Sequence, residues 1–305
     1  MLDVHGLRQR SALLQAVRSF FCERGCIEVD TPIRLPVLLP ETNISPFTSD
    51  NWFLQPSPEQ CMKRLLARGC RHIFQICRCY RREELGQLHQ PEFTMLEWYH
   101  SGWDYTGLMR ECEELLNTLA VAGSDLPGVE PGPAIRRGDC RVDLKPPWER
   151  LTVAEGFRRY AGVEVRDALA SGDFDEVLVT AVEPHLGRKR PVFLYNYPVE
   201  LGSLARRSPE DPSLAERFEL YINGIEIANG YSELVDPDEQ RTRFAEEIAT
   251  IRERGGSAAM PEHFLADLER MEATAGIALG LDRLFMLLQG HATLSEALPF
   301  SCNEL

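Results

Sequence analysis

Two hydrophobic periods take turns along the chain. In residues 8–24, Leu13, Val17, Phe20 and Phe21 recur at helical spacing and Gly25 stands in the stop position, which predicts an amphipathic helix. Cys26 to Thr31 alternates as a short strand ending at Pro32, and residues 33–51, with three more prolines, read as loop. In S-P-E-Q-C-M-K-R-L-L-A-R-G, 57–69, Ser57 reads as the N-cap, Pro58 as the first helical residue, Gln60 as the partner in a capping box and Gly69 as the end. The period then changes to two. Phe74, Ile76, Arg78 and Tyr80 alternate with Ile73, Gln75, Cys77 and Cys79, a polar loop runs from Arg82 to Pro91, and a second strand covers Glu92 to Tyr99. Phe93, Met95, Glu97 and Tyr99 fall on one face of that strand, and Thr94, Leu96 and Trp98 on the other, with Leu96 and Trp98 the core-like pair.

Helices are predicted at 105–119, 174–183, 240–254 and 261–273, a strand-and-helix unit at 151–160, and a strand at 191–198; the Gly- and Pro-rich stretch 123–149 reads as a surface connection. A second hairpin, 217–234, turns at Asn223-Gly224, the strongest short hairpin signal. That turn predicts Ile222 opposite Ile225, Tyr221 opposite Glu226 and Leu220 opposite Ile227, with Asn229-Gly230 bending the strand beyond Ala228. Leu220, Ile222, Ile225 and Ile227 then make the core face, and Glu219 and Glu226 become diagonal neighbours roughly 7–8 Å apart on the other. Finally G-I-A-L-G-L-D-R-L-F-M-L-L-Q-G, 276–290, is a Gly-spaced strand running into a helix with Arg283 in its first turn.

Composition narrows the field. Of 305 residues 44% are hydrophobic and 26% charged, as in ordinary globular proteins. No apolar run approaches the ~18 residues of a membrane span and the N-terminus carries no apolar signal core, so a cytoplasmic protein is expected. Nine cysteines without a C-x-x-C pair read as reduced thiols rather than a metal site. A formal charge of −14 argues against a wide grip on a nucleic-acid backbone.

The charged loop of the first hairpin, taken alone, is a solvated tip. Its meaning changes beside the other elements. Two carboxylates on one sheet face repel unless a cation lies between them, and Glu219 with Glu226 suits Mg²⁺ shared with substrate phosphates. Arg283 at the positive end of a helix fits a bound anion, and Arg81 adds a second cation for a triphosphate. Phe93 offers an apolar face to a base. The remaining acids, Glu59, Glu97 and Glu233, together with Tyr99, exceed what ATP needs and suit a substrate with two ammonium groups.

These stretches carry a resemblance. Arg78–Tyr99 is similar to motif 2 of the class II aminoacyl-tRNA synthetases, G-I-A-L-G-L-D-R to motif 3, and Gly25–Pro32 to motif 1. H-Q-P-E-F-T-M-L-E-W-Y and E-I-A-N-G-Y-S-E-L resemble the lysyl subgroup. The resemblance implies an α+β fold with an antiparallel sheet flanked by helices. It also implies one catalytic domain over 1–305, with motifs near 25–32, 78–99 and 276–290 and an insertion near 123–190, and a homodimer built on motif 1. Three departures from the tRNA-charging members stand out: no anticodon-binding barrel is expected ahead of motif 1, Ser57 replaces Ala in A-P-E, and Ala278 replaces Gly in G-I-G-I-G. All three are shared with lysyl-synthetase paralogues that attach (R)-β-lysine to elongation factor P.

By that resemblance Arg81, Glu83, His89, Phe93 and Arg283 bind ATP, with Phe93 on the adenine, and Glu219 and Glu226 hold Mg²⁺. Glu59 anchors the amine nearer the carboxylate; Glu233, Tyr99 and Glu97 take the terminal ammonium; Asn229 and Tyr231 line the pocket, and Ser57 and Ala278 shape it. The implied reaction forms lysyl- or β-lysyl-adenylate and passes it to a lysine of elongation factor P, with tRNA an improbable acceptor and no membrane involved. The alternative is a truncated lysyl-tRNA synthetase-like enzyme that charges tRNA or a tRNA-like acceptor.

Overall fold

Both hairpins enter one eight-stranded sheet in the computed structural model, which describes residues 2–304. The strands are β1 (Ile27–Glu28), β2 (His72–Tyr80), β3 (Glu92–Ser101), β4 (Glu149–Thr152), β5 (Val192–Pro198), β6 (Leu214–Ile222), β7 (Ile225–Ser232) and β8 (Thr274–Gly280). Their spatial order is β1-β2-β3-β8-β7-β6-β5-β4; the two outer pairs are parallel and all inner pairs antiparallel. Among the helices that flank the sheet are α1 (Val4–Glu23), α2 (Glu59–Leu66), α3 (Tyr105–Ala122), α4 (Pro237–Glu253), α5 (Glu262–Leu268) and α6 (Leu281–Leu288).

One sheet face is sealed. Leu96, Trp98, Leu220, Ile222, Ile225 and Ile277 pack with the apolar sides of α1, α3 and α6, and Phe21 stacks on Phe74 at 4.9 Å. The face predicted from alternation to be core-like is the buried one. On the opposite face, α2, α4 and α5 cover one end through Met62, Leu66, Phe244, Phe264 and Leu265, and the middle stays open.

Several expectations are corrected. Residues 33–51 hold Arg34–Leu35 and Thr48–Ser49, which pair with Trp52–Leu54 in a small sheet. Residues 123–149 are more than a connection: Val129–Glu130, Ala134–Arg137 and Cys140–Asp143 form another sheet, whose Ile135 and Val142 join the main core. Helix α2 starts at Glu59 with Pro58 as N-cap and no capping box; the Ser57 hydroxyl accepts from the Glu59 amide (3.0 Å) and is committed elsewhere. The nine cysteines are free, and among the described residues no helix is long and apolar enough to cross a membrane.

The register of β6 and β7 departs from expectation in an instructive way. Tyr221 faces Glu226 as predicted, but Leu220 faces Ala228, so Ile227 is an extra residue in a bulge. Alternation would place Glu226 and Asn229 on opposite faces, because their numbers differ by an odd count. One inserted residue reverses the parity. Glu226, Asn229 and Tyr231 therefore face the same side. Nor does Asn229-Gly230 bend the strand. Gly230 is small because a Cβ there would lie 2.6 Å from the Phe218 ring.

Candidate active site

Three transverse rows of residues make the floor of the open face. Met95 pairs with Gly280; Glu97 pairs with Ala278, which pairs with Asn229 and then Glu219; Tyr99 pairs with Gly276, then Tyr231 and Arg217. The rows exist because successive residues of one parity share a sheet face. They border a cavity of about 460 Å³ lined by fourteen sequence-predicted residues: Ser57, Glu59, Arg81, His89, Phe93, Glu97, Tyr99, Glu219, Glu226, Asn229, Tyr231, Glu233, Ala278 and Arg283. Glu83 is the exception. Its carboxylate accepts from the Ser45 hydroxyl (3.1 Å) and borders a neighbouring cavity, while Glu84 enters the cleft and pairs with Arg81 at 3.3 Å.

One end of the cavity is acidic and buried. Glu97 accepts from Ser57 Oγ (2.7 Å) and Tyr99 Oη (2.6 Å). Loss of water, then the charge of Glu59, pushes Glu97 up to about 8, against the hydrogen bonds from Tyr99 and Ser57. Glu233 is likewise pushed up to about 8 by burial, with Lys63 opposing. The two departures noted in the sequence converge here: Ser57 bonds to Glu97, and Ala278 is its cross-strand partner. Gly276 has a steric reason. A Cβ on it would lie 2.2 Å from the Tyr99 ring and 2.3 Å from a Glu233 oxygen.

Sequence reasoning missed Lys63. Its ammonium, only 1% exposed, lies 2.5 Å from Glu59 Oε1 and 2.6 Å from Glu233 Oε2, and these two acids raise its pKa despite burial. The signal was the Glu59–Lys63 spacing of four on α2, which in isolation is an exposed helical ion pair. Only the packing of α2 over the sheet turns it inward.

The other end carries the phosphate-type groups. Arg283 donates to the Leu88 and Glu226 carbonyls (3.1 and 2.9 Å) and approaches Glu226 Oε2 (3.3 Å) and His89 Nε2 (2.6 Å). Its helix start is fixed by buried Asp282, which accepts from the Thr94 amide (2.6 Å) and pairs with Arg10. The Arg81 guanidinium lies 5.3 Å from the Phe93 ring centre. Glu219 accepts from Arg217 (2.6 Å), Tyr197 (2.7 Å) and Tyr221 (2.6 Å). Loss of water and the Glu219 charge raise the pKa of Glu226, with Arg283 opposing. Loss of water and the Arg283 charge lower that of His89. Among the described residues no group of three or more His, Cys, Asp or Glu side chains is arranged to hold a metal. Two carboxylates with phosphate oxygens are nevertheless a donor set of the type Mg²⁺ takes. Glu219 already receives three hydrogen bonds, which leaves Glu226 the freer of the pair.

Comparison with known proteins adds a family. A family model described as tRNA synthetases class II (D, K and N) matches residues 4–304. A Salmonella arizonae protein named elongation factor P–(R)-β-lysine ligase is 35% identical over 336 aligned positions, spanning 99% of this chain and 96% of the relative. A Klebsiella pneumoniae protein of the same name is 34% identical over 335 positions, again spanning 99% and 96%.

Proposed function

The chain belongs to the class II tRNA synthetases of the D, K and N type, and from that premise we propose that it activates lysine or (R)-β-lysine with ATP and transfers it to a lysine side chain of elongation factor P. The observation that carries this reading is the placement of Glu59, Glu97 and Glu233 at one end of a cavity whose other end holds Arg81, Arg283, Glu219 and Glu226. A molecule spanning that cavity must be cationic at one end and take up anionic phosphate at the other. Relatives of that name at 34–35% identity support the same acceptor.

In the first step the amino-acid carboxylate attacks the α-phosphorus of ATP in line and pyrophosphate leaves. Arg81 and Arg283 neutralise charge that builds on the phosphates, and Phe93 offers its ring to the adenine. Glu219 and Glu226 would hold Mg²⁺, which would supply further charge neutralisation at the phosphates. Glu59 orients the amine nearer the carboxylate. Glu233 and Tyr99, with Glu97, receive the terminal ammonium, while Lys63 keeps Glu59 and Glu233 in register with each other. In the second step an acceptor amine displaces AMP to give an amide. Positioning and electrostatics carry both steps, without a covalent enzyme intermediate.

Substrate choice should depend on the end of the pocket that holds the amine nearer the carboxylate, which Ser57 and Ala278 shape and where the Ser57 hydroxyl accepts from the Glu59 amide. In the Ser57→Ala, Ala278→Gly double variant, the ratio of exchange rates for (R)-β-lysine over α-lysine should fall about tenfold, the range of one lost hydrogen bond. An unchanged ratio would remove these two residues from the specificity argument. Exposed Ile27 (56%) and Ile33 (44%) beside the motif 1 segment support a homodimer there. Sedimentation should give twice the chain mass, and Ile27→Asp should shift it toward the monomer; a wild-type monomer would refute the interface. A cytoplasmic location fits an enzyme acting on a translation factor.

Pyrophosphate exchange with α-lysine, (R)-β-lysine, aspartate and asparagine tests the activation step. Exchange should respond to the lysine isomers and not to the acidic or amide side chain. A response to aspartate would overturn the reading of the acidic pocket.

A further inference from the structure

A carboxylate outside the predicted set borders the cleft. Glu41 lies in the segment after Pro40 and borders both the main cavity and a second one of about 750 Å³. The flanking backbone is pinned: the Thr42 amide donates to Glu247 (2.7 Å), and the Arg82 amide donates to the Ser45 carbonyl (2.8 Å). No hydrogen bond or ion pair engages the Glu41 carboxylate among the described residues. The charged groups that act on it are Glu59, Arg81, Glu247 and Lys63.

That neighbourhood locates it. If Glu59 takes the amine beside the reacting carboxyl and Arg81 the α-phosphate, the carbonyl of the mixed anhydride lies between them, and Glu41 lines the same cavity and feels the charge of both. The second cavity that Glu41 borders is lined by Leu38, Leu39, Phe53 and Ile251, and also by the charged Arg82, Glu83 and Arg254. Apolar walls beside a carboxylate match a lysine side chain, whose alkyl stem is apolar and whose tip is an ammonium.

We propose that Glu41 is the general base of the transfer step, taking a proton from an acceptor lysine that reaches the adenylate through the second cavity. This inference rests on the two-step reading above. The acceptor ammonium gives one proton to Glu41, and its freed lone pair forms the C–N bond at the carbonyl carbon. The C–O bond to the α-phosphate breaks, its electron pair leaving on AMP, and the second nitrogen proton passes to water. Burial and the Glu59 charge push Glu41 up to about 7, with Glu247 adding to this and Arg81 and Lys63 opposing it. A base in that range is half in its accepting form near neutral pH.

The test compares wild type and E41Q in pyrophosphate exchange, in single-turnover transfer to elongation factor P, and in hydroxamate formation with hydroxylamine, which is largely unprotonated at neutral pH. The ratio of transfer to exchange should fall about 100-fold in E41Q, while hydroxamate still forms. The wild-type transfer rate should rise with pH and level off near about 7, and E41Q should lose that break. A ratio within about threefold of wild type, or a break that persists, overturns the assignment. So does equal loss of exchange and transfer, which makes Glu41 an amine anchor. If wild type shows no exchange with either lysine isomer, the adenylation reading itself fails, and the base falls with it.

Discussion

Charge in the amine pocket is balanced residue by residue. Glu97, pushed up to about 8, is held by the empty protein largely in the neutral form at pH 7, whereas Glu233, also raised by burial, keeps its charge against the Lys63 ammonium 2.6 Å away. A carboxyl whose folded pKa is raised stabilises the fold fully below its unfolded pKa, and that contribution is lost as pH rises through the folded value. The empty protein should therefore lose stability from about pH 5 to about pH 8, the span between ordinary and shifted values. Glu97→Gln removes this titration while keeping partners for Ser57 and Tyr99. Its melting temperature should gain on wild type by a few degrees as pH rises through that window, while lysine-dependent exchange collapses. A gap that stays constant with pH would show Glu97 to be ionised in the empty site. Gly276 makes a second residue-scale case. Gly276→Ala pushes a methyl into Tyr99 and Glu233, so KM for the amino acid should rise at least about tenfold. Gly280→Ala, whose Cβ meets nothing closer than 3.7 Å, should cost much less, and equal losses in both would refute the steric account.

At the scale of elements, the bulge in β7 decides which residues share the cleft. Deleting Ile227 removes the bulge and leaves Glu226, Ala228 and Asn229 in plain alternation, so Asn229 and Tyr231 keep the cleft face. That variant should keep amino-acid-dependent exchange within about tenfold of wild type; a loss of more than about 100-fold would mean that the bulge does more than set which side chains face the cleft. The same feature marks where the sequence stops being legible. The Asn223-Gly224 turn determines the first two cross-strand pairs, and both occur as read. A bulge leaves no comparable local signature in residues 225–232, where the apolar and polar positions read as plain alternation up to Ala228. The faces of the first hairpin were legible, since alternation separates Leu96 and Trp98 from Glu97 and Tyr99 without reference to anything distant, whereas its loop was not, as Glu84 and not Glu83 enters the cleft. Lys63 and Glu41 were not. One looked like a surface helical pair and the other lay in an unpatterned proline-rich loop, and each gains its meaning from groups far away in sequence.

At the scale of the whole molecule, the sheet holds two opposite electrostatic demands within one cavity of about 460 Å³. Acids from α2, β3 and the segment after β7 meet at one end. Arginines from the first hairpin loop and from α6 stand at the other, beside the acids of β6 and β7. The fold class followed from three ordered motifs, because each combines a chemical residue with the local pattern that presents it. The small accessory sheets carried no such chemistry and went unread. The central claim is that this cavity makes an aminoacyl-adenylate whose acceptor is a protein amine. Its most direct test is intact-mass and peptide mass spectrometry of elongation factor P after incubation with the enzyme, ATP, Mg²⁺ and (R)-β-lysine or α-lysine, with a parallel tRNA-charging reaction. The account predicts one lysyl-sized addition on a single lysine of the factor and little tRNA charging. Efficient tRNA charging with an unmodified factor would contradict it.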